Sequence, residues 1–545
     1  MQLIKRDNEA GKAWPAILIG VFVAFGGVLF GYDTGTIGGI LAMDYWERLF
    51  STGYVNAAGR PTVSPSQVSA IVSILSAGTF FGALGSPLMA DHIGRRLSLI
   101  ASTVVFVFGV ILQTVAVALP LFLAGRFFAG LGVGLISALI PLYQAETAPK
   151  WIRGAIIGSY QFAITVGLLL AAVVNNATHA RQDTGCYRIP IAVQFAWALV
   201  LIVGMMLLPE TPRYLIRSGN VDRAARSLGR LRRLPYNHPS VTAELAEISA
   251  SHSQEEAAMQ TAAGGAGSVG ILDCFRGGML KRQLTGMALQ ALQQLTGINF
   301  IFYYGTQYFT NSGVRNAFVV QMITSGINVV STLPGLWAME RWGRRPLLLG
   351  GAVGMCVAQL IVALLGTLTT GQTASGDIVV FDLAAQKASI AFVCIYIFFF
   401  ASTWGPLGWV VTGEIFPLKH RARALAMTTA TNWLLNWAIA YATPYLVNYG
   451  PGYANLQSKI FFVWFACCFL CIAFVYFFIY ETKGLSLEEI DQMYTAGVPA
   501  RKSAQWTPGQ PPAAANAVVV AGAKDGQSSG EDIELVAAPR PLFVV

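Results

Sequence analysis

The chain has 545 residues, of which 54% are hydrophobic and only 12% are charged. Soluble domains usually contain about 25% charged residues, so this composition excludes a soluble globular protein and indicates a membrane protein. The net charge of +9 does not indicate nucleic-acid binding, because the Lys and Arg residues lie in turns between apolar segments and are not interleaved with aromatic residues on a polar face.

Twelve apolar segments are long enough to span a bilayer, which takes about 20 residues. Six lie in the first half of the chain, at 15–42, 69–90, 97–119, 121–143, 154–174 and 189–208. Six lie in the second half, at 284–307, 316–339, 346–368, 389–413, 423–447 and 458–480. We therefore predict an all-α membrane protein with twelve transmembrane helices in two six-helix bundles.

Two short motifs occur once in each half. The first is Asp91-His-Ile-Gly-Arg-Arg, which returns as Glu340-Arg-Trp-Gly-Arg-Arg. The second is Glu146-x-x-Pro-x-x-x-Arg, which returns as Glu414-x-x-Pro-x-x-x-Arg. Each copy lies on a short basic turn between apolar segments, so the duplicated unit is a six-helix bundle. Such repeats are typical of secondary transporters, which bind substrate at the interface between the repeats.

Basic residues concentrate in the turns on one side of the predicted helices. The set comprises Arg95, Arg96, Lys150, Arg153, Arg341, Arg344, Arg345, Lys419, Arg421 and Arg423. By the positive-inside rule this side is cytosolic, and so are both termini. The sequon Asn176-Ala-Thr178 falls in a predicted loop on the opposite side.

We predict four regions along the chain. They are an N-terminal bundle at 1–208, a cytosolic linker with short helices at 209–283, a C-terminal bundle at 284–482, and a mostly disordered cytosolic tail at 483–545. Segments 221–234 and 241–250 of the linker are candidate amphipathic helices. The Gly265-x-Gly-x-x-Gly270 pattern follows no strand and so does not indicate nucleotide binding. In the tail, a short helix is predicted from Ser486, and the Pro, Gly, Ala and Ser content favours disorder beyond Ala500.

No catalytic or metal-binding pattern is visible in the sequence. The five His and seven Cys residues show no repeated ligand spacing, and no nucleophile has a base nearby in a motif. We therefore expect no enzyme activity, no metal and no cofactor.

Asp33 and Arg126 are the charged residues that fall well inside predicted helices, where an ion is costly and therefore a functional candidate. Counting about 1.5 Å per residue from the helix starts places both at a similar depth. A static ion pair would satisfy both groups. Alternatively, protonation of Asp33 would separate the pair and couple a proton to a conformational change.

The duplicated motifs place arginines and glutamates at neighbouring helix ends. We expect Arg95 and Arg96 to reach Glu146, and Arg344 and Arg345 to reach Glu414. Such pairs would close an inner gate, although plain anchoring of the helix ends would account for the same residues. Glu210 and Glu481, which end the two halves, are candidates for the same network.

Amide side chains follow one face of the seventh helix, where Gln290, Gln293 and Gln294 have i, i+3 and i+4 spacing. Gly297 permits a break that would redirect Asn299. Other helices add Gln161, Asn328, Asn432 and Asn436. Trp404 and Trp409 could stack on the apolar face of a sugar, although an aromatic residue on a helix more often belongs to the core. Each amide alone could join two helices, but as a set drawn from both halves they favour a neutral polyhydroxyl ligand, since amides both donate and accept hydrogen bonds.

Several motifs resemble those of the sugar porter family of the major facilitator superfamily, with the closest likeness to fungal monosaccharide transporters. They are Gly31-Tyr-Asp-Thr-Gly, Gly125-Arg-x-x-x-Gly-x-Gly-Val-Gly, Pro209-Glu-Thr-Pro-Arg, Gln293-Gln-Leu-Thr-Gly-Ile-Asn and Glu481-Thr-Lys-Gly, with Tyr187-Arg-Ile-Pro and Ser402-Thr-Trp-Gly-Pro for the fungal likeness. Two positions depart from the family pattern. Ala401 replaces a sugar-contacting Glu of human members, and Tyr480 replaces a Pro, which we expect to have little effect.

The resemblance implies roles for individual residues. The residues that match hexose-binding positions of the family are Gln161, Gln293, Gln294, Asn299, Asn328, Trp409 and Asn432. Tyr303 and Tyr304 match residues that help to close the outer gate. Asp33 matches the proton site of plant and bacterial symporters, but yeast facilitators also have Asp there.

We therefore expect a monomeric glucose and proton symporter of the plasma membrane, embedded in the lipid bilayer. The alternatives are a facilitative hexose uniporter and a glucose receptor that does not transport.

Overall fold

A computed structural model describes residues 14–55, 61–148, 152–262, 271–311, 316–372, 378–417, 420–448, 453–485 and 487–507. Lys150, Lys419, the 265–270 glycine pattern, Ser486 and residues 508–545 therefore lie outside the described residues. Within the described ranges the chain is almost entirely helical, and all twelve predicted segments form helices, which confirms the predicted fold class.

The first six membrane helices form the N-terminal bundle. They are helix 1 (Trp14–Ile40), helix 2 (Pro65–Ile93), helix 3 (Arg95–Val115), helix 4 (Leu119–Thr147), helix 5 (Arg153–Thr178) and helix 6 (Gly185–Leu207). Helix 2 begins with a capping box, in which the Ser64 hydroxyl accepts from the Gln67 N–H and the Gln67 side chain accepts from the Ser64 N–H.

The second six form the C-terminal bundle. They are helix 7 (Gly277–Leu295 and Ile298–Asn311), helix 8 (Ala317–Trp342), helix 9 (Arg344–Leu368), helix 10 (Leu383–Phe399, Phe400–Trp404 and Gly405–Glu414), helix 11 (Arg421–Val447) and helix 12 (Ile460–Phe478). Helix 7 breaks at Gly297, whose φ of +86° favours glycine. The middle segment of helix 10 is a π-helical turn.

Helices 7 and 11 are more polar than the other membrane helices. Among the described residues, ten of the twelve are long and apolar enough to cross a membrane by composition, and these two are not. They carry most of the glutamine and asparagine residues singled out in the sequence, the exceptions being Gln161 of helix 5 and Asn328 of helix 8. In a bilayer such helices need partners for their polar groups, so they belong in the protein interior.

Helices of opposite bundles pack against each other in pairs, namely helix 2 on helix 11, helix 5 on helix 8, and helix 1 on helix 7. Small residues allow the closest approach. A Cβ added to Gly38 in helix 1 would overlap the carbonyl oxygen of Phe302 in helix 7. The interface between the bundles is therefore the centre of the molecule.

The helices outside the membrane follow helix 1 (Asp44–Phe50), connect the two bundles along the chain, and follow helix 12. The linker forms Pro212–Arg217, Val221–Arg232, Pro239–Ala262 and the 3-10 helix Ile271–Phe275, and the tail forms Leu487–Thr495 and the 3-10 helix Ala500–Gln505. The prediction of disorder immediately beyond Ala500 is wrong, because Trp506 is buried in a small cluster with Tyr480, Met493 and Ala500.

Two features lie at the end of the bundles opposite the duplicated motifs. The loop between helices 9 and 10 forms an antiparallel hairpin of β1 (Thr370–Gln372) and β2 (Ile378–Val380). Asn176 lies in the last turn of helix 5 and not in the predicted loop, because the helix continues to Thr178. The sequon therefore has helical backbone.

Candidate functional site

An ion pair joins Asp33 of helix 1 to Arg126 of helix 4. Arg126 Nη1 lies 3.3 Å from Oδ1 and 3.2 Å from Oδ2 of Asp33, and both side chains are only 1% exposed. Arg126 Nε donates to the carbonyl oxygen of Ile71 in helix 2, at 3.3 Å. Arg126 Nη2 is buried with no hydrogen-bond partner among the described residues. The sequence correctly placed the two groups at one depth, and the pair also holds helix 2.

Amides of helices 7 and 11 form a connected cluster. Asn432 Nδ2 donates to Gln290 Oε1 at 2.7 Å and to Gln293 Oε1 at 2.9 Å. Gln290 Nε2 donates to the Gly408 carbonyl oxygen, at 3.0 Å. All three amide side chains are buried. The helical spacing of the glutamines thus directs them towards helices 10 and 11.

The π-helical turn of helix 10 supplies acceptors to this cluster. Gln293 Nε2 donates to the carbonyl oxygens of Trp404, at 2.8 Å, and Gly405, at 3.0 Å. A π-helical turn changes the backbone hydrogen-bond pattern and occurs often at functional sites. Trp404 itself points away, because its Nε1 donates to the Leu348 carbonyl oxygen of helix 9. The structure therefore does not support the prediction that Trp404 stacks on a ligand.

A second group of amides connects the C-terminal bundle to helix 2. Asn299 donates to Gln294 Oε1, which also accepts from Asn436 Nδ2 at 3.4 Å. Asn436 Oδ1 accepts from Tyr303 at 3.2 Å and from the Ser76 hydroxyl of helix 2 at 2.9 Å. Helix 2 therefore contacts both the amide network, through Ser76, and the Asp33 ion pair, through the Ile71 carbonyl.

Helices 5 and 8 contribute the remaining predicted amides. Gln161 Oε1 of helix 5 accepts from Trp409 Nε1 of helix 10 at 3.2 Å, across the bundle interface. The Trp409 ring contacts the Tyr160 ring edge to face, with centroids 5.5 Å apart. Asn328 of helix 8 is 1% exposed, and its side-chain oxygen Oδ1 has no hydrogen-bond partner among the described residues. A buried acceptor of this kind is suited to a ligand hydroxyl.

Contacts between the bundles close the face opposite the duplicated motifs. The Ser69 hydroxyl of helix 2 donates to the Tyr441 carbonyl oxygen of helix 11, at 2.6 Å. The His179 ring of helix 5 stacks on Phe318 of helix 8, with centroids 4.3 Å apart. Tyr304, in contrast, donates within the C-terminal bundle, to the Ala440 carbonyl oxygen at 2.6 Å.

On the other face, which we call the basic face, each duplicated motif forms a buried ion pair. Arg95 Nη2 lies 2.9 Å from Glu146 Oε1, and Arg344 Nη2 lies 2.9 Å from Glu414 Oε1. A Cβ added to Gly154 of helix 5 would lie 2.6 Å from Arg344 Nη2. The C-terminal pair therefore lies directly against helix 5 of the N-terminal bundle, so the bundles are in contact on this face too.

The second arginine of each motif does not reach the glutamate, so this part of the prediction is wrong. Arg96 donates to the carbonyl oxygens of Met205, at 2.9 Å, and Met206, at 2.6 Å. Arg345 donates to the Tyr476 carbonyl oxygen, at 3.0 Å. Successive residues on a helix point about 100° apart, so only one of two neighbouring arginines faces the glutamate.

Two further glutamates join this network, as the sequence indicated. Glu210 accepts from the backbone N–H groups of Arg95 and Arg96, at 3.0 to 3.2 Å, where helix 3 begins. Glu481 accepts in the same way from Arg344 and Arg345, both at 3.0 Å, where helix 9 begins. Burial raises the pKa of the Glu210 carboxyl above its usual range, and the N–H donors of Thr211 and Arg96 oppose that shift. A carboxylate at a helix N-terminus satisfies free N–H groups and interacts favourably with the helix dipole.

Some contacts at the bundle interface were not predicted from the sequence. Ser76 and Ser137 are small hydroxyl residues in apolar segments, and Ser137 accepts from Trp433 Nε1 of helix 11 at 3.2 Å. No spacing distinguishes them from the other serines of these helices. In the described part of the chain, no group of three or more His, Cys, Asp or Glu residues could hold a metal ion.

A family model described as "Sugar (and other) transporter" matches residues 19–494. The major facilitator-type transporter ecdD of Aspergillus rugulosus is 67% identical, over 92% of this chain and 91% of the relative. The probable glucose transporter rco-3 of Neurospora crassa is 49% identical, over 90% and 81%. The high glucose sensor RGT2 of Saccharomyces cerevisiae is 42% identical over 90% of this chain, but only 62% of the sensor is matched.

The fold is also that of a solved transporter structure. The proton:xylose symporter XylE of E. coli, bound to 6-bromo-6-deoxy-D-glucose, has a TM-score of 0.74 and 26% sequence identity. The likeness covers 89% of this chain and 100% of the XylE chain.

Proposed function

Because the chain belongs to the sugar transporter family, we propose that it is a plasma-membrane hexose transporter that couples uptake to protons by alternating access of its two bundles. The basic face is cytosolic in this proposal, as the positive-inside rule predicts, and both termini are on that side. The transporter works as a monomer in the bilayer, since each chain contains both halves of the site.

The observation that carries the proposal is the set of buried amides in the C-terminal bundle, which meets helix 2 of the N-terminal bundle at Asn436 and Ser76. A hexose presents hydroxyl groups in several directions, and each hydroxyl both donates and accepts. The C-terminal bundle offers both donors and acceptors in the side chains of Gln293, Gln294 and Asn432. It also offers a buried acceptor, Asn328 Oδ1, that has no hydrogen-bond partner among the described residues. Two relatives named for glucose and a neighbour bound to a glucose analogue support the same substrate class.

Hexose binding would replace some of the hydrogen bonds that the amides now make with each other. Asn299 bonds to Gln294, and Trp409 of one bundle bonds to Gln161 of the other. A sugar between these groups would contact both bundles at once. The Trp409 indole offers an apolar face for the sugar ring.

Alternating access requires that only one face opens at a time. On the outer face the bundles meet where Ser69 bonds to the Tyr441 carbonyl oxygen, and where Gly38 of helix 1 lies against the backbone of helix 7 at Phe302 and Tyr303. On the basic face the Arg344 and Glu414 pair contacts helix 5. The state with both faces closed is the intermediate that such a cycle passes through while the sugar is enclosed.

Proton coupling would act through helix 2. Protonation of Asp33 removes the charge that holds Arg126, and Arg126 in turn holds the Ile71 carbonyl of helix 2. Ser76, five positions further along the same helix, contacts Asn436 in the amide network. A movement of helix 2 would therefore change the sugar site. In this proposal external protonation favours sugar binding from outside, and loss of the proton inside resets the carrier.

Two alternatives use the same fold. A uniporter would keep the Asp33 and Arg126 pair intact throughout its cycle. A glucose receptor is suggested by the sensor among the relatives, which is 42% identical to this chain. The higher identity of 67% to a relative named a transporter favours transport.

The decisive experiment is uptake of labelled glucose by cells without hexose carriers of their own, at acidic and alkaline external pH, with and without a protonophore. Accumulation above the external concentration that collapses with protonophore is the expected result for a symporter. Uptake that only equilibrates and ignores pH would identify a uniporter. Absence of flux for every hexose tested, with the protein present at the cell surface, would favour the receptor.

A further inference from the structure

At the end of helix 12 on the basic face, two arginines lie beside lipid-exposed aromatic rings without an acidic partner. We propose that Arg345 and Arg501 bind the headgroup of an anionic phospholipid of the cytosolic leaflet, and that this lipid fastens the start of the tail to the membrane. The proposal rests on the orientation given under the proposed function.

The site is built on two neighbouring rings. Tyr476 and Phe477 are 43% and 53% exposed at the end of a membrane-spanning helix, so their outer faces meet lipid. The Arg501 guanidinium carbon lies 5.4 Å from the Tyr476 ring centroid and 5.3 Å from the Phe477 centroid. The Arg345 guanidinium carbon lies 5.8 Å from the same Tyr476 ring. The Tyr476 ring therefore lies within cation–π distance of both guanidinium groups.

Neither charge is neutralised by the protein that surrounds it. Among the described residues, no carboxylate forms an ion pair with Arg345 or Arg501. Arg345 Nε is buried and has no hydrogen-bond partner in the described part of the chain. Glu481 accepts from the backbone N–H of Arg345 and forms no ion pair with its side chain among the described residues. Two guanidinium groups beside one ring, without a carboxylate partner among the described residues, leave their positive charge available to an anion at this surface.

The other bundle lacks this arrangement. Arg96 occupies the position equivalent to Arg345, and both side chains donate to carbonyl oxygens near the end of a membrane helix, Arg96 to Met205 and Met206 and Arg345 to Tyr476. Unlike Arg345, Arg96 makes no cation–π contact among the described residues. The site is therefore not a consequence of the duplicated motif alone, because it needs Arg501 from the tail.

The location and the chemistry favour a phospholipid as the anion. Aromatic residues at the ends of membrane helices lie at the level of the headgroups. A guanidinium group binds phosphate through two parallel hydrogen bonds, and the cytosolic leaflet carries the anionic lipids. A lipid phosphate at this depth would meet both arginines while its acyl chains lie along the exposed faces of Tyr476 and Phe477.

The tail places Arg501 over these rings through specific contacts. The Ser503 hydroxyl accepts from the Glu481 N–H at 2.8 Å, and Trp506 packs with Tyr480 and Met493. Tyr480 stacks on Tyr494, with centroids 4.3 Å apart, so the residue that replaces the family's Pro holds the tail. The tail helix Leu487–Thr495 contacts helix 7, because Arg282 donates to Asp491 at 2.6 Å and lies 4.6 Å from the Tyr494 ring centroid. A bound lipid would therefore stabilise the tail and its contact with the helix that carries the sugar amides.

The test uses the purified full-length protein in detergent micelles, titrated with phosphatidylserine or phosphatidylcholine while the melting temperature is followed. We expect phosphatidylserine alone to raise the melting temperature with a saturable dose response. One basic residue near an anionic lipid surface strengthens binding about five-fold, so R501Q should weaken the apparent affinity for phosphatidylserine by about that factor. K502Q removes the same charge from the neighbouring exposed position and should leave the affinity unchanged.

Three results would overturn the proposal. The first is an equal response to both lipids. The second is an equal loss of affinity in R501Q and K502Q, which would mean diffuse attraction without a site. The third is complete competition by inorganic phosphate, which would identify a soluble anion as the ligand. Because the micelle measurement requires neither sugar flux nor a membrane orientation, its outcome is independent of the transport experiment.

Discussion

Replacing Asp33 by Asn removes the charge of the buried ion pair and keeps its shape. Arg126 Nη1 lies 3.2 Å from the carboxylate, where two unit charges attract by about 5 kcal/mol at an effective dielectric constant of about 20. Breaking a buried pair by removing one partner typically costs about 3 to 5 kcal/mol, because the remaining charge is unpaired. The amide oxygen of Asn still accepts a hydrogen bond, so we expect a loss near the lower end of this range.

For a proton symporter, Asp33→Asn resembles the carrier that is permanently protonated. We expect uphill accumulation of glucose to disappear, because the proton gradient can no longer act on this position. Exchange of labelled for unlabelled glucose across the membrane should remain and should lose its pH dependence. The assay is accumulation and exchange in the same proteoliposomes, with and without an imposed pH gradient.

Two control variants separate coupling from misfolding. Asp91→Asn makes the same substitution in an ion pair with Arg217 that is partly exposed, where the expected cost is at most about 1 kcal/mol, and accumulation should persist. Asp33→Asn combined with Arg126→Gln removes the unpaired charge and should recover thermal stability without recovering accumulation. Accumulation by the single Asp33→Asn variant would refute the coupling role and leave a static pair.

Three further substitutions test the sugar site and the closure of the bundles. Gln293→Ala leaves two carbonyls of helix 10 and an amide N–H unpaired, so the apparent sugar affinity measured by exchange should weaken by about 1 to 3 kcal/mol; an unchanged affinity would exclude its role. Ser76→Ala removes one hydrogen bond to Asn436, so the pH dependence of sugar affinity should shrink by about 0.5 to 1.5 kcal/mol, and a full pH dependence would contradict coupling through helix 2. Gly38→Ala places a methyl group against the backbone of helix 7, so exchange should fall strongly, whereas Gly85→Ala, with no atom within 4 Å of the added Cβ, should exchange at the normal rate. Equal exchange rates in the two glycine variants would mean that the outer face need not close as tightly as it does here.

The sequence predicted the helices well because apolar length is a property of single segments. It also predicted that Asp33 and Arg126 share a depth, since depth follows from counting residues along each helix. It did not predict which of two adjacent arginines meets a glutamate, because that depends on the rotation of each helix about its axis. Arg95 faces Glu146, and Arg96 faces the end of helix 6.

Partners on other helices were beyond prediction for the same reason. The Gln293 amide donates to carbonyl oxygens at a π-helical turn, and no residue pattern in helix 10 predicts such a turn. Nothing in the sequence around Ser76 indicates that its hydroxyl donates to Asn436 of helix 11. The 3-10 helix at Ala500 was missed because the composition of the tail favours disorder, whereas a few contacts of Ser503 and Trp506 stabilise this segment against helix 12.

The two candidate sites are divided between the bundles. The titratable pair belongs to helices 1 and 4 of the N-terminal bundle, and the connected amides belong to helices 7 and 11 of the C-terminal bundle. A proton can influence sugar binding only if the two bundles are coupled, and helix 2 contacts both groups. In a cycle where the bundles move relative to each other, a contact such as Ser76 with Asn436 cannot persist in every state. Forming or breaking this hydrogen bond would therefore affect both the Asp33 ion pair and the amide cluster. Coupling would then need no charged residue within the sugar site itself.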